Sequence, residues 1–172
     1  ENLDASGNWG VYNKTSPWAN NDKVTLDVSN LAGNDNFGYS VDLDHSTGQI
    51  LYVGSPGSVS GRGRATSFLR SSTDTWNVAT SFTASANNRI SGFGEAIANG
   101  SSHFAVGAPD SVSEQGVVYV YFEGVLQQII TNPVGSASDK FGQSLAMSRD
   151  GIYLYVGEPG DDKVYCYARQ TR

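Results

Sequence analysis

"FGEAIANGSSHFAVGAPD", residues 93–110, decides the fold. An alternating apolar segment follows Phe-Gly, then a turn, then a second apolar run that ends in Val-Gly-Ala-Pro. Two other stretches are built the same way: "FGYSVDLDHSTGQILYVGSPG" from Phe37 and "FGQSLAMSRDGIYLYVGEPG" from Phe141. The three starts lie 56 and 48 residues apart, a period that marks one supersecondary unit written repeatedly.

Each copy reads as a hairpin, because side chains of a strand alternate between two faces and both apolar runs keep that period. Turns are expected at Asn99-Gly100 and Asp150-Gly151, dipeptides that tolerate the positive φ of a tight connection. Pro56, Pro109 and Pro159 cannot donate to a ladder and mark where pairing stops. A third strand follows in each copy: "RATSFLR" from Arg64, "GVVYVYF" from Gly116 and "KVYCYAR" from Lys163. A fourth follows in the first two, "TWNVATSF" from Thr75 and "VLQQIIT" from Val125.

A four-stranded antiparallel meander cannot bury both of its faces alone and must stack on its neighbours. Radial stacking of such sheets makes a β-propeller. The fold expected is therefore all-β and propeller-like, with about three four-stranded antiparallel blades. The boundaries are an N-terminal strand segment at 1–36, blades at 37–92 and 93–140, and an incomplete blade at 141–172. The first segment resembles material after a third strand, so it is expected to supply a fourth strand that completes the last blade. Three blades are fewer than the roughly four to eight of closed rings. The alternatives are a piece of a larger propeller, a ring completed by a homo-oligomer, or an open stack covered by another subunit.

The Phe-Gly starts, the Gly-Ala-Pro type endings and the "VYVY" strand resemble the FG-GAP repeats, the blades of integrin α-chain propellers and of many bacterial and phage surface proteins. The resemblance covers roughly residues 35–170 in three copies. It implies a calcium loop of the Asp-x-Asp-x-Asp-Gly type between the first two strands of a blade. Only "DLDHSTG" comes near that pattern, with Asp42, Asp44 and Ser46 at alternate positions. Its Gly arrives one place late and no final acidic ligand follows, so a solvated turn is the competing reading.

Of the 172 residues 16% are charged and the net charge is −6, which leaves no basic footprint for nucleic acid. No apolar run approaches the ~18 residues of a membrane-spanning helix, so membrane insertion is not expected. The chain opens without Met, which leaves room for a leader or an upstream domain. Cys166, the single cysteine, replaces an apolar residue in "VYCYAR" and forms no internal disulfide.

The two histidines, His45 and His103, have no nucleophile-elbow partner, so no enzymatic activity is expected. The economical reading is an extracellular binding or adhesion module at a cell or virion surface, with a protein or glycan ligand. A structural part of a phage tail or fibre, and an accessory domain of a secreted hydrolase, are the alternatives. Contacts are expected from the loops after each Gly-x-Pro, which should gather on one rim: Ser58, Arg62 and Arg64, then Asp110 and Glu114, then Asp161 and Asp162. The alternating Tyr119, Tyr121, Tyr165 and Tyr167 are read as packing between blades, with sugar stacking as the sharper alternative.

Overall fold

A computed structural model describes residues 25–26, 28–29, 31–72, 75–84 and 91–170. Most of the N-terminal strand segment lies outside them, and with it the expected completion of the last blade. The rest is all-β: three antiparallel sheets, each a meander in chain order. The first holds β1 (Val41–Leu43), β2 (Ile50–Ser55), β3 (Arg64–Ser72) and β4 (Thr75–Phe82). The second holds β5 (Ala96–Gly100), β6 (His103–Ala108), β7 (Val117–Phe122) and β8 (Val125–Thr131). The third holds β9 (Ser144–Met147), β10 (Tyr153–Glu158) and β11 (Lys163–Ala168). These are propeller-like blades.

The strand period decides which residues bind which neighbour. Along β6, Phe104 and Val106 face the first blade, together with Tyr119 and Tyr121 of β7. Ala105, Val118 and Ile130 face the third blade, where they meet Leu154, Val156 and Phe141. Aromatic rings fill the first junction: Tyr52 stacks on Phe104 with centroids 4.4 Å apart, Phe104 on Tyr121 at 4.6 Å, and Phe82 packs edge-on against both. Each pair adds about 0.5–1.5 kcal/mol beyond its buried area, so this junction is the tighter one. The four tyrosines of the third strands thus lie at junctions, Tyr119 and Tyr121 buried and Tyr165 and Tyr167 half-buried against Phe141.

The repeated glycines are where backbones of adjacent blades touch. Within a blade, the Phe-Gly glycine donates its N–H to the Val-Gly carbonyl, in Gly38 to Gly54 (3.0 Å), Gly94 to Gly107 (2.9 Å) and Gly142 to Gly157 (3.0 Å). Between blades, its carbonyl oxygen presses on the strand glycine before it. A Cβ on Gly54 would overlap the Gly94 oxygen, and one on Gly107 the Gly142 oxygen. Ser40 Oγ donates to the same Gly94 oxygen at 2.7 Å.

One expected turn lies elsewhere. Asn99 and Gly100 belong to β5, and the chain reverses at Ser101 and Ser102, with Ser101 at φ 53°. Gly100 serves packing instead, since a Cβ there would overlap the Ser148 carbonyl oxygen of the third blade. Gly151 does hold the positive φ (70°) expected at its turn.

Gly107→Ala drives a Cβ into backbone that cannot yield without separating two blades. Urea unfolding should show a loss of about 2–4 kcal/mol, well above the ~0.5 kcal/mol of an ordinary surface substitution.

Candidate functional site

The loops after Gly-x-Pro leave the same end of each blade. In the first two the backbone turns left-handed: Val59 and Ser60 sit at φ 55° and 58°, and Val112, Ser113 and Glu114 at 55°, 60° and 64°. That region costs an L-residue about 1–2 kcal/mol and is least suited to a β-branched valine. The return is that the loop carbonyls point at the next blade. Arg62 O accepts from Phe93 N at 3.1 Å, Gln115 O from Phe141 N at 3.1 Å, and Glu114 O from Lys140 N at 2.9 Å. The strained turns are therefore clasps between blades.

Two of the rim side chains named from the sequence, Asp110 and Glu114, take part in the same clasps, and the others stay within their own blades. Ser58 is buried, Arg62 Nε donates to Val59 O at 3.4 Å, and Arg64 opens β3 opposite Ser55. Asp110 and Glu114 come together on Lys140, whose Nζ lies 2.6 Å from Asp110 Oδ1 and 3.0 Å from Glu114 Oε2. Asp161 pairs with Lys163, and Asp162 is exposed in a left-handed conformation (φ 53°). Glu158, their neighbour in sequence, is buried.

Lys140 and Glu95 were not singled out from the sequence. Lys140 stands alone before Phe141, and Glu95 follows a Phe-Gly start. Burial, then the charge of Asp110 and a hydrogen bond with it, push the Glu95 carboxyl up to about 7, while Lys140 pulls it back.

Asp42, Asp44 and Ser46 do not suit calcium. Asp44 is buried and both of its oxygens accept hydrogen bonds, Oδ1 from Ser46 N (3.0 Å) and Ser46 Oγ (2.7 Å), Oδ2 from Thr47 N (3.1 Å) and the Thr47 hydroxyl. Despite the opposing effect of burial, these donors lower its pKa to about 2. Asp42 Oδ2 accepts from Asn99 N of the second blade at 2.7 Å. A cation would have to displace donors from both oxygens of Asp44, and Asp42 Oδ1 faces His45 Nε2 at 3.6 Å. Among the described residues no group of three or more His, Cys, Asp or Glu side chains is placed to hold a metal ion.

An open cleft of about 770 Å³ separates the outer parts of the second and third blades. The junction of the first two blades shows why it exists. There Tyr52, Phe82, Phe104 and Tyr121 fill the space. The equivalent positions by strand register are Ala105, Ile130, Leu154 and Tyr167, so three aromatic rings are absent from this junction, and Ile130, Leu154 and Tyr167 line the cleft. The floor is apolar, with Val120, Ile130, Met147 and Leu154, and the sides carry Gln127, Gln128, Tyr167 and Arg169. Gln128 faces Val120 and Leu126 faces Tyr121, so Gln127 is the extra residue of a β-bulge, and both amides reach the cleft. Arg169 Nη1 lies 3.4 Å from His103 Nε2. Burial and then Arg169 lower the His103 pKa, which favours the neutral ring.

A family model for the FG-GAP repeat matches residues 125–168. That stretch is similar to an FG-GAP repeat. No curated protein matches the chain. The matched FG-GAP stretch begins with β8 of the second blade and ends with β11 of the third, so it borders the cleft on both sides.

Glu95 binds its proton more tightly folded than unfolded, so its contribution to stability is present below about pH 4.5 and is lost as pH rises toward 7. Thermal melts of Glu95→Gln should match the parent near pH 4.5 and exceed it above pH 7. Equal shifts at both pH values would mean that Glu95 is not protonated in the fold.

Proposed function

We propose that the chain is a non-catalytic binding module of an outer surface, cellular or viral, and that its ligand is a glycan seated between the second and third blades. The observation that carries this reading is the cleft itself. One junction of a repeated structure has given up aromatic filling and gained polar sides over an apolar floor. Concave sites of mixed lining are where small ligands bind, and a fold of this type acts as a scaffold for such sites.

The chemistry suits a sugar chain. Tyr167 offers an aromatic ring as one wall, against which the C–H face of a pyranose packs. The Gln127 and Gln128 amides can each donate to and accept from hydroxyls, and Arg169 adds donors for a ring oxygen or a carboxylate. A protein ligand on the Gly-x-Pro rim is less favoured, because Asp110, Glu114 and Asp161 already hold lysines. The reading as a structural part of a particle rests on a different feature, the open face of the third blade.

Calorimetric titration with neutral and acidic oligosaccharides tests the reading. At least one class should bind, and Gln128→Ala and Arg169→Ala should each weaken it about tenfold while leaving the unfolding midpoint in place. Heat from neither class, or full affinity in both variants, would reject the glycan.

A further inference from the structure

The third blade ends in a face built to receive another blade. By register, Tyr155 stands opposite Cys166 and Ala146, and Gly157 opposite Val164 and Ser144, so these side chains share one side of the sheet. It is the side that blades one and two turn toward their successors. Here it is open: Val164 is 72% exposed, Tyr155 44% and Tyr153 46%, and Cys166 is exposed as well.

Gly157 indicates what is missing. Gly54 and Gly107 lack side chains because the carbonyl of the next Phe-Gly glycine lies against them. Gly157 has no positive φ to explain it, and a Cβ there would meet first the Ser144 hydroxyl, which can rotate away. A glycine inside a strand weakens it unless another backbone must come close. Ser144 also repeats the position of Ser40, whose hydroxyl donates to the Gly94 carbonyl. Glycine and serine together form the receiving half of the contact between blades.

The presenting half is on the same chain. Gly38 has φ 90°, close to Gly94 at 99° and Gly142 at 88°. Yet a Cβ on Gly38 would meet nothing within 4 Å, whereas Gly94 and Gly142 each lie against the preceding blade. Beside it, Val41 and Leu43 are 61% and 41% exposed. Leu26 and Val28 stand 11 and 9 residues before Phe37, as Phe82 and Ala84 stand before Phe93. They pack on Val53 and Phe68 of the first blade where a preceding blade's fourth strand would lie. The third blade shows three strands among the described residues.

We infer that a second copy of this chain docks its first blade on the third blade of its partner, through Gly157 and Ser144 on one side and Gly38 on the other. The segment of each copy that carries Leu26 and Val28 then lies at the open edge of the other's β11. Applied twice about a two-fold axis, the contact joins the two copies through both of their open faces.

Cys166 is the single cysteine and lies on the docking face, so it reports the contact directly. Sedimentation of the unaltered chain from dilute to concentrated solution should show a monomer passing to a dimer. Labelling of Cys166 by a thiol reagent should slow about tenfold over that range. Val164→Arg, on an exposed strand position, should stay monomeric and label fast at every concentration, with the melting midpoint of dilute parent protein. A monomer throughout, a dimer that survives Val164→Arg with Cys166 still reactive, or a mass that climbs without limit would each overturn the closed pair.

Discussion

Backbone lying directly on backbone is the constraint on which the structure depends. At each junction the carbonyl of a Phe-Gly glycine presses on a strand glycine of the preceding blade. The distance leaves no room for a methyl group, so the two repeated glycines of the sequence are two sides of one contact. The left-handed turns after Gly-x-Pro follow from it. With the blades so close, their loop carbonyls can reach the N–H groups of Phe93 and Phe141, and those bonds hold valines in a conformation they would otherwise avoid.

What varies between junctions is the filling outside that contact. Four aromatic residues make the first junction solid, and Ala105, Ile130 and Leu154 leave the second with a cleft. Specific chemistry thus arises where the repeat departs from itself while its glycine contacts are kept. The Lys140 clasp is a departure of the same kind: one cation joins carboxylates of the second blade to the start of the third.

Much of the architecture was legible in the sequence because it repeats. Phe-Gly, Gly-x-Pro and the alternating third strands set the strand order and the stacking. The turn at Asn99-Gly100 was misplaced because a glycine chosen for close approach to Ser148 looks, in sequence, like one chosen for a turn. The cleft was not legible, since it comes from side-chain volumes at four positions spread over 63 residues, Ala105 to Tyr167, and no local pattern carries that sum. Asp44 shows the reverse: its spacing with Asp42 resembled a ligand pair, while its oxygens were committed to hydroxyls and amides two and three residues away.

The unequal filling of the two junctions also has a mechanical side. Pulled along its length, a stack held by the same backbone contacts throughout gives way where side chains add least cohesion. The ring cluster of Tyr52, Phe82, Phe104 and Tyr121 reinforces one seam, and the other has a hollow in the corresponding place. The third blade is therefore the part that detaches first under load, with the first two remaining joined as a rigid pair.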